Sequence, residues 1–145
     1  MATLKTNTLT GTSTAGSIAV TGEGNSTTTN LQQGLAKAWV NCNGGTVDSN
    51  ADLTGVRDSF NLTSVVDNGT GDHSITVTNA FGSVNYVWSY GGKRASGDGT
   101  NCFDVNVKRD TDPTTTVTRH NVKDHDSSSD VDAEILGVIF HGDLA

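Results

Sequence analysis

Four histidines are the side chains in this sequence best suited to acid–base catalysis: His73, His120, His125 and His141. None of them belongs to an H-E-x-x-H zinc motif. The chain also lacks a G-x-S-x-G nucleophile elbow and a phosphate-binding G-x-x-x-x-G-K-[ST] loop. Each histidine stands in a polar or turn context, so we expect all four at solvated or strand-edge positions. No catalytic residue is predicted, and the chain is not expected to be an enzyme.

An acidic run near the C-terminus offers oxygen ligands of the kind that calcium prefers: Asp124, Asp126, Asp130, Asp132 and Glu134. An EF-hand loop that starts at Asp124 needs glycine at its sixth position and glutamate at its twelfth. The sequence has Ser129 and Ile135 at those positions. We therefore expect a solvated acidic loop, with a looser calcium site between subunits as the alternative. No metal ion and no cofactor are predicted.

Two cysteines, Cys42 and Cys102, each stand at the edge of a predicted strand. The segment MATLKTNTLTG lacks the apolar stretch of a secretory signal, so a reducing compartment and two buried free thiols are expected. A disulfide formed after release from a cell is the alternative, and it requires the two Cα atoms to come within about 7 Å.

The candidate ligand site follows the stretch VNYVWSY. Tyr86, Trp88 and Tyr90 alternate along it and should share one face of a strand, while Lys93 and Arg94 follow in a glycine-rich loop. Aromatic rings on a strand face can stack on sugar rings, but they also serve as core or as a subunit interface. Both interpretations stay open from the residues.

Short alternating segments predict the elements that must position these residues. Phe103, Val105 and Val107 alternate with polar residues, and Asn68-Gly69 predicts a hairpin turn. The stretch VRDSFNLTSVVD is predicted as a single strand with a bulge near Thr63 or Ser64. Seven to nine such strands, with one brief helix beginning near Leu31, predict an all-β fold: a β-sandwich or jelly-roll-like domain.

Residues 1–30 are predicted to form an extended N-terminal arm, and residues 31–145 the β-sandwich head domain. Two pieces of the arm, Leu4–Leu9 and Ser17–Val20, alternate enough to pair as strands but could not hold a core alone. Their apolar side chains are the predicted attachment residues: Leu4, Leu9, Ile18 and Val20.

The last predicted strand, AEILGVIFHG, is apolar on both faces and needs cover on both. Only 33% of the chain is hydrophobic, so a lone monomer would be marginally stable. We therefore predict that this strand lies in an interface between subunits, through Ile135, Leu136, Val138, Ile139 and Phe140.

The formal net charge of −7 and the sequence pI near 4.7 argue against nucleic acid as a partner, because no basic stripe is present. No apolar run approaches about 18 residues, so no membrane span is predicted either.

Three stretches resemble a family of tailed-phage virion proteins: NSTTTNLQQGLAKAWVN, RDSFNLTSVVDNGTGDHSITVTNAF and the closing GVIFHGDLA. These relatives are fibre, head-fibre and decoration-type proteins of marine and cyanobacterial phages. Residues 34–41, 57–61 and 67–72 match their recurring pattern position by position, and residues 25–90 carry most of the resemblance. Two departures stand out, because Cys42 replaces the usual phenylalanine and the loop before RDSF is longer.

The resemblance implies a non-enzymatic virion structural protein, a homotrimeric decoration or short fibre on the capsid or tail surface. Its partners would be further copies of itself and a major capsid protein or tail protein. Its location would be the virion, which is assembled in the host cytoplasm. A tail-associated receptor-binding tip that recognises a host surface glycan is an alternative, through Tyr86, Trp88, Tyr90, Lys93 and Arg94. A free carbohydrate-binding module, which would be a monomer, is the other alternative.

Overall fold

A computed structural model describes residues 4–11, 18–21, 28–94 and 103–145 of the chain. Contacts between Cα atoms divide the chain into Met1–Leu35 and Ala36–Ala145. The elements, in chain order, are β1 (Ala19–Thr21), β2 (Thr28–Asn30), α1 (Leu31–Gly34), β3 (Ala38–Cys42), β4 (Val56–Phe60), β5 (Leu62–Gly69), β6 (Asp72–Val77), β7 (Val87–Lys93), β8 (Phe103–Val107), β9 (Val117–Asp124) and β10 (Ile135–His141).

The N-terminal unit contains a small antiparallel ladder, in which β1 pairs with β2. The single turn α1 follows β2 directly, and the Leu31 amide donates a hydrogen bond to the Ile18 carbonyl at 2.8 Å. Leu4–Leu9 is not a strand, so the pairing of the two predicted arm pieces is not found within the described residues. Leu4 and Leu9 are 79% and 53% exposed, which leaves their side chains without a core of their own.

The second unit is a β-sandwich of two antiparallel four-stranded sheets, and it confirms the predicted fold class. Sheet I has the strand order β4-β3-β10-β7, and sheet II has the order β5-β6-β9-β8. In β3 and β10 the buried residues alternate with less buried ones, as the period of two in a strand requires. The last strand of the chain therefore lies in the middle of its sheet, between β3 and β7.

One core fills the space between the sheets. Sheet I contributes small or apolar side chains from β3 and β10, of which Leu136 and Val138 are 0% exposed. Sheet II contributes Val65, Ile75 and Val105, which are 0%, 1% and 0% exposed. Each of these positions points inward because its neighbours along the strand point to the opposite face.

Asn61 turns the chain from one sheet to the other. The sequence predicts one strand across this region, but the structure has β4 in sheet I and β5 in sheet II. Between them Asn61 takes a φ of 55°, and asparagine tolerates this left-handed backbone better than most residues. Its Nδ2 donates to the Lys37 carbonyl at 2.9 Å, and its Oδ1 accepts from the Asn79 amide at 2.8 Å. The predicted bulge does occur, as a register shift between Leu62 and Ser64.

The predicted hairpin joins β5 and β6, although its turn lies further along the chain. The strands close around Thr70 and Gly71, and the residues with positive φ are Gly69 at 133° and Gly71 at 66°. A register shift between Asp67 and Gly69 absorbs the extra length of β5. A Cβ at Gly71 would collide with backbone atoms of β9 and of Val131, so the tight packing of this turn requires glycine.

Candidate functional site: the outer face of sheet I

The outer face of sheet I carries a row of apolar side chains that crosses its strands. The pairing places Phe60 beside Trp39, and Trp39 beside Ile139. Each alternates along its strand with an inward residue, so all three point away from the core. Phe60 is 54% exposed and Ile139 is 42% exposed. We call Phe60, Trp39 and Ile139 the outer ridge.

A hollow lies next to the outer ridge, where the next row of the sheet contains two glycines. Asn41 pairs with Gly137, and Gly137 pairs with Gly91. A Cβ at Gly91 would meet no atom within 4 Å, and one at Gly137 would meet its nearest atom at 3.4 Å. The groove along this row has a volume of about 570 Å³ and is bordered by Trp39 and Ile139. A ridge beside a hollow provides a surface into which a protruding side chain can fit.

The outer face of sheet II is different, because its charged side chains pair with one another. Asp72 accepts hydrogen bonds from Arg119 Nε at 2.7 Å and Arg119 Nη2 at 2.8 Å, and Lys108 Nζ lies 2.7 Å from its second oxygen. Lys123 pairs with Asp130 at 2.7 Å. The hydrogen bond from Arg119 is the main reason that the pKa of Asp72 lies below its ordinary value. This face is suited to contact with water, whereas the outer ridge is not.

The predicted aromatic stripe is not one exposed platform. Tyr86 is only 5% exposed and stacks on Phe81 with a distance of 4.2 Å between ring centroids. Its hydroxyl lies 2.6 Å from Thr118 Oγ1, so both the ring and the polar tip are satisfied inside the molecule. Trp88 is half-buried, and its ring meets the Tyr86 ring edge-on, with 6.1 Å between the ring centroids. Tyr90 is 49% exposed, but its register partner on β10 is the buried Val138, so its side chain lies on the inner side of the sheet and not on the outer face.

The two predicted basic ligand residues are each engaged with an acidic partner. Lys93 Nζ lies 2.8 Å from Glu134 Oε2, and Arg94 Nη1 lies 2.8 Å from Asp124 Oδ2. The side chain of Arg94 is only 10% exposed, so burial as well as pairing holds it in place. The predicted ligand set Tyr86, Trp88, Tyr90, Lys93 and Arg94 therefore does not converge on a single surface.

The predicted interface residues separate onto the two faces of β10. Leu136, Val138 and Phe140 are 0%, 0% and 1% exposed and pack in the core of their own chain. Assigning these three to a subunit interface was wrong, because sheet II already covers that face. Ile135 and Ile139 lie on the outer face of sheet I, where they remain available for a contact with another subunit.

The prediction that all four histidines are solvated or at strand edges was wrong for two of them. His73 and His120 are 0% exposed, and they face each other across β6 and β9, the two inner strands of sheet II. His125 is exposed and lies 3.2 Å from Asp104 Oδ2. The missed signal is that each buried histidine stands two residues from another inward residue, Ile75 after His73 and Thr118 before His120, and so shares its face of the strand.

The acidic run is divided among basic partners instead of converging on a cation. Asp124, Asp130 and Glu134 each pair with a different arginine or lysine, and Asp132 Oδ1 accepts from the Gly71 amide at 2.7 Å. Within the described ranges, no three histidine, cysteine, aspartate or glutamate side chains form a metal-binding group.

Cys42 is a free, buried thiol, and burial is the main reason that its pKa rises to about 11. Cys102 lies outside the described residues, so the predicted state of the pair remains a prediction. None of the helices in the described part of the chain has the length and apolar character to cross a membrane.

No known protein family, curated protein or solved structure matches this chain. The outer ridge and its hollow are therefore interpreted from their own geometry. None of the described residues that line the groove is acidic or basic. Such a surface can bind a complementary surface or a flat ligand.

Proposed function

We propose that this chain is a non-enzymatic structural protein of a phage virion surface, a decoration or short fibre that assembles as a homotrimer. The observation that carries the proposal is the exposed outer ridge, which crosses β4, β3 and β10 of sheet I. Apolar rows of this kind are more typical of a protein contact than of a surface that stays in water. The resemblance of the sequence to phage fibre and decoration proteins supplies the biological setting.

The contrast between the two sheets supports self-association in particular. Sheet II presents paired charges, whereas no side chain of the outer ridge or of the groove lining is charged. Asp58, the register partner of Asn41, lies at the β4 end of the row that forms the hollow. The chain has a net charge of −7, and a contact through uncharged side chains avoids bringing like charges of two copies close together. Ile139 in the ridge and the glycines in the hollow provide complementary shapes for such a contact.

The N-terminal arm would join the trimer to the particle, through a capsid protein or a tail protein. Leu4, Leu9 and Val20 are at least half exposed, which leaves apolar side chains available for a partner. Ile18 is half-buried beside β1, so it contributes less to the exposed surface than the other three. The virion, assembled in the host cytoplasm, is the proposed location.

The first test is the solution mass of the purified chain, measured by light scattering after size exclusion. We expect a mass near three times 15.0 kDa. The variant Ile139→Lys should reduce this mass toward the monomer, because a charge in an apolar contact costs several kcal/mol. Leu53→Lys is the matched control, since Leu53 is 44% exposed and lies in the loop before β4, outside the strands that carry the ridge.

A monomeric wild-type protein would contradict the proposed trimer. A trimer that tolerates Ile139→Lys as well as Leu53→Lys would leave the trimer standing and exclude the ridge as its contact. Deletion of residues 1–30 then tests attachment, and undiminished incorporation into particles would rule out the arm as the docking segment.

One observation favours a second candidate, a receptor-binding tip that recognises a host glycan. Trp39 borders the groove on the outer face, and Ser89, the register partner of Ile139, adds a hydroxyl beside it. A sugar ring can stack on an indole while its hydroxyls bond to nearby polar groups. Binding on a glycan array that is lost in Trp39→Ala, by a chain that is monomeric, would replace the trimer with this function.

A further inference from the structure

The central strands of sheet II bury two histidines side by side. His73 and His120 are register partners across β6 and β9, and both are 0% exposed. The strands outside them, β5 and β8, close the sheet on either side. Tertiary burial of one histidine is ordinary, but two facing each other place four ring nitrogens inside a single core.

Few of these nitrogens have a hydrogen-bond partner. His73 Nε2 lies 3.3 Å from the Gly44 carbonyl, which can only accept, so this nitrogen carries the proton in the neutral ring. His73 Nδ1 and both nitrogens of His120 are buried without a partner. An unsatisfied buried polar atom costs about 1–3 kcal/mol, so these side chains reduce the stability of the fold even when both imidazole rings are neutral.

The surroundings of His120 would suit an aromatic hydrocarbon better. The ring packs edge-on against the rings of Trp88 and Phe140, with centroid distances of 6.2 Å and 6.1 Å. What distinguishes histidine from phenylalanine at this position is its ability to take up a proton. Burial, and secondarily the neighbouring His73, lower the pKa of His120 from 6.5 to about 4.

The carboxylates that could neutralise a proton on His73 or His120 either already accept hydrogen bonds from other groups or lie far along the strand. Asp67 is the register partner of His73 on β5, but its Oδ1 accepts from the Gly69 amide at 2.7 Å, and no ion pair joins it to His73. Asp124 lies at the end of β9 and pairs with Arg94. Facing them from sheet I, the inward positions of β3, β7 and β10 add only the titratable groups of Cys42 and Tyr90, and Tyr86 precedes β7.

We propose that the His73–His120 pair makes this sandwich acid-sensitive: proton uptake places charge between the two sheets and opens the core around β6 and β9. The sign follows from linkage. The unfolded chain binds the proton more tightly than the folded chain, so folding is fully favoured above about pH 6.5 and is weakened as the pH falls toward 4. The Gly44 turn would open first, because its carbonyl contacts His73 and its amide donates to the Ala133 carbonyl at 2.8 Å.

The test is urea unfolding of the full chain at about pH 7.5 and about pH 5, a range above most carboxylate titration. His120 alone should lower the folding equilibrium constant by about 25-fold between these conditions. His120→Phe should remove most of this decrease and should also unfold at higher urea than wild type at the upper pH. His125→Phe is the matched control, since the His125 side chain is 63% exposed, and it should keep the wild-type decrease.

A second measurement covers the case in which His120→Phe fails to fold. The ring carbon signals of the histidines in wild-type protein, followed by NMR during acidification, should show His120 neutral until the fold itself is lost. A wild-type stability that is unchanged between the two pH values would overturn the proposal. So would a decrease that His120→Phe leaves intact, or a His120 ring that protonates reversibly in a folded protein at about pH 6.

Discussion

Leu136 and Ile139 are three residues apart on β10 but point to opposite faces, and this contrast gives the sharpest test of the structure. Leu136 is 0% exposed in the core, while Ile139 is 42% exposed on the outer ridge. Truncating each to alanine removes a similar volume of hydrocarbon. The two substitutions should therefore differ in cost only because their surroundings differ.

Leu136→Ala should destabilise the folded chain by about 3 kcal/mol, because it leaves a cavity between the sheets. Ile139→Ala should cost about 1 kcal/mol in an isolated chain, since roughly half of the side chain is already in water. If copies cover the outer ridge, the exposed part of Ile139 becomes buried as well. Its loss would then add about 1 kcal/mol for each subunit to the dissociation of the assembly.

The assay is urea unfolding of both variants and of wild type at two protein concentrations that differ by about a hundredfold. Unfolding of an assembly depends on concentration by mass action, whereas unfolding of a monomer does not. We expect wild type and Leu136→Ala to show this dependence and Ile139→Ala to lose much of it. Leu53→Ala, at 44% exposure outside the sheet, should behave as wild type.

Two results would refute this reasoning. Equal destabilisation by Leu136→Ala and Ile139→Ala at both concentrations would mean that the two faces of β10 are equally buried in one chain. An unfolding midpoint of wild type that does not change with concentration would mean that no copy covers the outer ridge.

Three further substitutions test individual contacts in sheet II and the core. Gly71→Ala should cost about 2 kcal/mol or more, measured as a lower melting temperature, because φ is 66° and the added Cβ meets backbone. Asp72→Asn should cost about 1–2 kcal/mol near neutral pH in urea unfolding, since it weakens the bidentate pair with Arg119. The pKa of Asp72 is lowered in the folded chain, so the stability contributed by its carboxylate is present above pH 3.8 and is lost as the pH falls through the pKa of the folded state. The difference in stability between wild type and Asp72→Asn should therefore vanish in strong acid. Tyr86→Phe should cost about 1 kcal/mol in the same assay, because it removes the hydroxyl that lies 2.6 Å from Thr118 Oγ1.

Alternation was enough to predict the fold class, because each strand buries one face. Val105 illustrates this, since it alternates with polar residues in the sequence and is 0% exposed in β8. The hairpin of β5 and β6 was also predictable from its glycines. Its turn was displaced because Asn68, Gly69 and Gly71 all tolerate turn conformations, and only the packing of Gly71 against β9 selects the position.

The break at Asn61 could not be predicted from the pattern of apolar and polar residues. Both sides of it have strand character, and a bulge explained the shift in alternation equally well. The crossing depends on two hydrogen bonds of the Asn61 side chain, one donated to the Lys37 carbonyl and one accepted from the Asn79 amide, and both partners are distant in sequence. Local propensity contains no information about such partners.

The burial of His73 and His120 was missed for a related reason. A histidine beside arginine or aspartate, as in TRHN or GDHS, has polar neighbours in the sequence. In a strand those neighbours point to the opposite face, so they say nothing about where the ring lies. Reading only every second residue gives His73, Ile75 and Val77, which is an inward set.

The same period of two explains why the candidate site could be only half predicted. Apolar residues on both faces of β10 show that both faces avoid water, but the sequence does not say which face the chain itself covers. That depends on the strand order, which places β10 between β3 and β7 and turns Leu136 toward sheet II. Once that face is assigned to the core, Ile139 has no partner in sheet II, and Trp39 and Phe60 extend its row across the sheet. The outer ridge is therefore a product of topology, and a surface assembled in this way can be tested only on the folded protein.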